Sequence, residues 1–313
     1  MRHVLTLAAS LGLASIGLAA QAGYVPERVF ESRENRFTDF EAMLADLARA
    51  DVVFVGEQHD DSLSHQLELA LLEGLARRRG DVIVALEMFE RDVQEPLDHF
   101  QMGHLSEAEF LASARPWPRY ATDYKPLVDF AVAHDWPVVA ANVPRPLASE
   151  VARGGLTVLD GKSDAEKAWF ARDIRCPLDD DYFERFAETM TGHPADGGRG
   201  RGAAPSAETV RAERERLERY YFAQCLKDET MAESVAQALV GASQGGTRPL
   251  VIHYNGAFHS DFGLGAAERA RRRLPGKRVV VLSLLPVADL DVLKPDKAER
   301  KRADFLVYTY RKN

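Results

Sequence analysis

Four residues of this chain combine the right types and settings for chemistry: Glu57, His59, Glu87 and His259. The first two lie in Val52-Val-Phe-Val-Gly-Glu-Gln-His-Asp-Asp61, where an apolar run stops at a glycine and then presents acids and an imidazole. Near the other end, Leu250-Val-Ile-His-Tyr-Asn-Gly-Ala-Phe-His259 repeats that layout, and Val82-Ile-Val-Ala-Leu-Glu-Met-Phe89 delivers Glu87 between them. A carboxylate set directly after apolar residues is costly unless paired or ligated, and the histidines are the natural partners. A carboxylate against an imidazole fixes its tautomer and raises its basicity. The set is therefore a candidate general-base site, catalytic through Glu57, His59, Glu87 and His259. It is equally a candidate divalent-metal site built from the same four residues, with an open position for water. The alternative to both is a satisfied polar cluster that pins loops to a sheet. Asn142 and Asn255 stand at the same kind of position.

Apolar runs without polar alternation read as strands buried on both faces of a parallel sheet, and such sheets carry their chemistry just past the carboxyl ends of the strands. Strands are expected at Val52–Val55, Val82–Phe89, Pro137–Asn142, Leu250–His253 and Arg278–Leu285, with Phe305–Tyr310 as an edge strand. Helical spacing marks Phe37–Ala48, Ser64–Arg79, segments beginning near Val93 and Ser106, Tyr124–His134, Asp179–Met190 and Ala207–Leu239. Alternating strands and helices predict an α/β fold, a parallel β-sheet flanked by helices. Residues 23–150 and 246–313 would form the sheet domain. Residues 151–245 show no convincing strand and read as a smaller all-helical insertion. Its linker at 192–205 is too rich in Gly and Arg to hold a fixed structure alone.

The chain has 313 residues and a formal net charge of −8, a poor balance for tracking nucleic-acid phosphates. Arg2 and His3 precede an uncharged run from Val4 to Ala20, and Ala20-Gln21-Ala22 fits a small-x-small cleavage site. Residues 1–22 read as a secretory signal peptide, so an exported, periplasmic protein is expected. No cysteine stands near the cleavage site to carry a lipid. Cys176 and Cys225 either pair in an oxidising compartment or remain two buried thiols.

Several motifs in order resemble the ChaN family of exported haem-binding proteins, which belongs with the Tiki proteases and erythromycin esterases in one superfamily. They are Val53-Phe-Val-Gly-Glu-Gln-His-Asp60, Leu86-Glu-Met-Phe-Glu-Arg-Asp-Val-Gln94, Arg115-Pro-Trp-Pro-Arg-Tyr-Ala-Thr-Asp-Tyr-Lys-Pro126, Ala140-Ala-Asn-Val-Pro-Arg145, Ala223-Gln-Cys-Leu-Lys-Asp-Glu-Thr-Met-Ala232 and Asn255-Gly-Ala-Phe-His259. The resemblance implies a role in haem and iron uptake. It implies two protomers holding a stacked pair of haems, a tyrosine on each iron and a histidine near the propionates. An outer-membrane haem receptor would be a further partner, and membrane association would run through a partner. Phenolate is a known haem ligand. Tyr182, Tyr220 and Tyr221 are the candidate ligands, with Phe183, Phe186, Met190 and Phe222 as walls and His193 for the propionates. The relatives also imply an alternative, a hydrolase using the strand-end Glu/His set. Arg115-Pro-Trp-Pro-Arg119 reads as a rigid connector with Trp117 packed under the loops, and Arg145 is placed to clamp a carboxylate at the sheet edge.

Overall fold

Every residue of the Val52–Glu57, Val82–Glu90 and Leu250–Gly256 strands is buried, which is why their sequences show no polar alternation. The computed structural model describes residues 25–192, 206–244 and 246–311. The expected signal peptide, His193 and nearly all of the Gly- and Arg-rich linker lie outside the described residues.

Eight strands form one sheet: β1 (Glu27–Glu31), β2 (Arg36–Thr38), β3 (Val52–Glu57), β4 (Val82–Glu90), β5 (Val138–Asn142), β6 (Leu250–Gly256), β7 (Val279–Val287) and β8 (Phe305–Tyr310). Their spatial order is β2-β1-β8-β7-β3-β6-β4-β5. The six strands from β8 to β5 are parallel, whereas β1 joins β8 and β2 antiparallel. The sheet is thus mixed rather than purely parallel. Phe305–Tyr310, expected at an edge, is an inner strand, because β1 pairs with its outer side and β7 with its inner side. Strands β1 and β2 were not expected. Glu27-Arg-Val-Phe-Glu31 is short and mostly polar, and only Val29 and Phe30 are buried.

Helices α1 (Phe40–Leu47), α2 (Ser62–Ala76), α3 (Gln94–Gln101), α4 (Glu107–Ala114), α5 (Tyr120–Asp123) and α6 (Lys125–Ala133) follow the early strands. Helix α1 begins after the expected Phe37, because Arg36–Thr38 is taken by the pairing with β1 and Asp39 caps the helix by accepting from the Ala42 N–H at 2.7 Å. Helices α7 (Arg145–Gly154), α8 (Asp164–Lys167), α9 (Asp181–Gly192), α10 (Ala207–Ser243) and α11 (Gly265–Arg273) complete the chain. Successive strand residues point to opposite faces. Val53 and Val55 join Leu44, Leu71, Leu97 and Leu127 of α1, α2, α3 and α6 on one face. Val52 and Phe54 join Met231, Val235 and Ala266 of α10 and α11 on the other. The carboxyl-terminal half of α10 therefore covers the sheet. Its amino-terminal half packs with α9 around Tyr182, Phe186, Tyr221 and Cys225. Cys176 packs against the same cluster, and both thiols are free. No helix among the described residues is long and apolar enough to cross a membrane.

His253 sits in the middle of β6, fully buried, its ring edge-on to Phe54 and its Nδ1 3.2 Å from the Ala85 carbonyl. Burial pushes its pKa down to about 4. A histidine whose folded pKa lies below its unfolded value adds stability that is present above pH 6.5 and is lost as pH falls toward 4. Its share of that loss is about 3 kcal/mol by linkage. Urea unfolding at pH 7.5 and 4.5 should show His253→Asn losing less stability on acidification than the parent. An unchanged pH dependence would remove His253 as the cause.

Candidate functional site

Glu57 closes β3 with its side chain inside the protein. Its Oε1 accepts from the Tyr124 hydroxyl at 2.8 Å and lies 2.6 Å from His59 Nδ1. Its Oε2 lies 2.9 Å from His65 Nδ1. Burial alone would raise this carboxyl, but the hydrogen bonds to His59 and His65 hold it at about 2. His65 reaches Glu57 because Asp61 starts α2 at once, accepting from both the backbone and the hydroxyl of Ser64. His65 Nδ1 also lies 3.0 Å from Glu68 Oε2, and its Nε2 lies 3.2 Å from the His59 carbonyl. Burial opposes the charge on His65, yet Glu57 and Glu68 raise its pKa to about 10. Glu68 goes the other way: burial, then the Glu57 charge, push it well up. The two carboxyl groups around the His65 imidazole are thus pushed in opposite directions, Glu57 down and Glu68 up.

A second chain of polar groups starts at Glu87 on β4. Glu87 accepts from the Gly256 N–H at 2.7 Å and lies 3.3 Å from His259 Nε2. His259 Nδ1 lies 2.6 Å from Asp228 of α10, whose other oxygen accepts from the Tyr182 hydroxyl at 2.6 Å. Burial disfavours the charged imidazole, but Glu87 and Asp228 raise its pKa to about 10. For Glu87, burial is outweighed by His259, and its carboxyl is held well below the usual range.

Both chains open onto one cavity of about 480 Å³. Its walls come from the strand ends (Glu57, His59, His259), from α9 (Arg185, Phe186, Met190) and from Gln224 of α10. His59 is the most accessible of the four sequence-predicted residues, with 44% of its side chain exposed. Trp117 packs edge-on against its ring at 5.1 Å. Gly256 makes this placement possible, since a Cβ there would lie 2.6 Å from His59 Nε2. Among the described residues, the atoms close enough to share one metal ion belong to Glu57, His65 and Glu68, all buried. One imidazole nitrogen with carboxylate oxygens suits a divalent first-row ion.

The haem candidates fall in different settings. Tyr182 and Tyr221 are buried, their hydroxyls given to Asp228 and Asp180. Tyr220 is 40% exposed. It stands one helical turn before Gln224 on α10, so both lie on one stripe of that helix. Asn142 and Asn255 serve backbone turns, accepting from the Val143 N–H and donating to the Gly256 carbonyl respectively. Arg145 lies 3.9 Å from Glu90 at the sheet edge. His65, Glu68, Tyr124 and Asp228 were not singled out from the sequence. His65 and Glu68 carried the spacing of helix neighbours directly after the Glu57 motif, and Asp228 stood inside one of the quoted motifs.

A parallel sheet whose strand ends meet a helical hairpin around buried His-carboxylate pairs defines the class. The family model described as haem-binding uptake, Tiki superfamily, ChaN matches residues 43–270, and the chain belongs to that family. A Campylobacter jejuni ChaN structure titled for cofacial haem binding superposes with a TM-score of 0.61 at 16% identity, covering 90% of this chain and 96% of that one. An erythromycin esterase in its open conformation gives a TM-score of 0.43 at 12% identity, covering 91% and 83%. A Bacillus cereus protein gives 0.45 at 11%, covering 86% and 90%. No curated protein matches the sequence.

Proposed function

We propose that this protein binds haem for iron uptake, between two copies of the chain, with Tyr220 as the iron ligand. Membership of the haem-binding uptake family supports the general role. The observation that carries the ligand assignment is the exposed phenol of Tyr220, on the same stripe of α10 as the cavity-lining Gln224, while Tyr182 and Tyr221 are buried with their hydroxyls given to Asp228 and Asp180. The residues present fit a haem: a reachable phenol, with the exposed Met190 and the buried Phe186 as apolar wall. Bound haem would supply a ferric centre that takes a phenolate as axial donor. Haemin added to the protein should give a Soret shift and a ferric-phenolate charge-transfer band. Tyr220→Phe should lose that band and at least tenfold in affinity, whereas a band that persists would move the ligand elsewhere.

A second reading is favoured by one observation. The half-exposed His59 imidazole sits on a buried carboxylate at the mouth of the cavity, the arrangement of a general base. Under it ester or peptide hydrolysis would run through Glu57, His59, Glu87 and His259. A divalent ion held by Glu57, His65 and Glu68 would then be an auxiliary. Turnover of ester and peptide libraries that disappears in His59→Ala would support it. Unchanged haem binding, metal content and turnover in that variant would leave the cluster structural.

A further inference from the structure

The cavity has an acid-binding end that neither reading above assigns. Arg185 of α9 and Arg302, from the segment between β7 and β8, both line it. Both guanidinium groups lie over the Phe262 ring, Arg185 at 3.5 Å and Arg302 at 5.7 Å from its centroid. An arginine held over an aromatic face by cation–π attraction can still turn its N–H groups to a carboxylate. Arg302 Nε is buried without a hydrogen bond and pairs only loosely, at 3.5 Å, with Asp261, an acid that also lines the cavity.

The ring is held there at a cost. Phe262 has a φ of +63°, a left-handed backbone that bulky residues rarely adopt. Its N–H donates to the Arg302 carbonyl at 2.5 Å, which ties the two residues together. Backbone strain of this kind persists where surrounding structure enforces it, and it gathers at ligand sites. An adjoining cavity shares Arg302 and adds Arg33, Arg271, Arg300 and Lys301 against one acid, Asp304, a local basic focus on a chain with a net charge of −8.

We infer that Arg185 and Arg302 form a clamp for the carboxylates of the bound ligand, so that the propionate edge of a haem enters the strand-end cavity. This rests on the haem reading and deepens it. The sheet edge and the helical hairpin become one site: the hairpin offers the iron ligand, and the strand-end side receives the acid groups. The Glu and His residues beneath then form the polar floor under the propionates.

The test compares haemin with haemin dimethyl ester, which keeps the iron and the ring but has no carboxylates. On the unaltered protein, haemin should bind at least tenfold tighter than the ester. Arg185→Gln with Arg302→Gln should bring the two affinities together by weakening haemin alone. Arg211→Gln, an exposed α10 arginine away from the cavity, should leave the difference intact. Equal binding of acid and ester by the unaltered protein would overturn the clamp and leave haem binding standing. A preference that survives the double substitution would place the acid groups elsewhere and also overturn it. Failure of both compounds to bind would end the haem reading, and the clamp with it.

Discussion

Replacing Glu57 by alanine should cost the fold about 3–5 kcal/mol, as expected when one partner of a buried ionic group is removed. The carboxylate answers His59, His65 and Tyr124 at once, at 2.6, 2.9 and 2.8 Å. Without it, His65 keeps a buried charge beside Glu68 and Asp123, and the Tyr124 hydroxyl loses its acceptor. Such a loss is a large share of the roughly 5–15 kcal/mol that holds an average domain. Glu57→Gln keeps the shape and an acceptor and should cost less. Urea unfolding should show the alanine variant shifted far to low denaturant. Glu215→Ala, on an exposed stretch of α10, should stay within about 0.5 kcal/mol of the parent. An alanine variant as stable as the parent would mean that the cluster does not hold the sheet edge.

Haemin should convert a monomer or weak dimer into a firm dimer. On α9 and α10 the large apolar side chains of Met190, Val210 and Tyr220 expose 39%, 51% and 40% of their surface, and a patch of such groups is an association liability when uncovered. A two-fold axis would bury the same patch on both copies and set two haems face to face. A ligand that binds only the dimer stabilises it by mass action, by about 2.7 kcal/mol at one hundred times its Kd. Light scattering across a haemin titration should show the mass double as the Soret band saturates. A strictly monomeric complex with one haem per chain would defeat the paired arrangement while leaving haem binding intact.

The parallel core was legible because burial on both faces makes β3, β4 and β6 each open on an apolar run, with polar residues entering only from the middle onward. Strand order was not, since β6 slots between β3 and β4 through contacts that no local pattern encodes. Strand β1 escaped because Glu27, Arg28 and Glu31 mask its two buried residues. At the site, Glu57, His59, Glu87 and His259 stood out because acids and imidazoles are unexpected at the ends of apolar strands. His65, Glu68 and Asp228 did not, because polar residues on helices usually belong to a solvated face. Three tyrosines of the helical region looked alike in sequence. Only burial separates the two that serve aspartates from the one that faces outward.

The placement of β6 has a consequence for how the chain is made. Strands β3 and β4 emerge from the ribosome one after the other, yet they never pair, because the seat between them is reserved for Leu250–Gly256. Until that late segment arrives, the two most apolar strands of the nascent chain present open edges, the kind that recruit other strands. Pairings across so much sequence close slowly. A chain built this way cannot join β3 to β4 through their shared neighbour until Gly256 has been made.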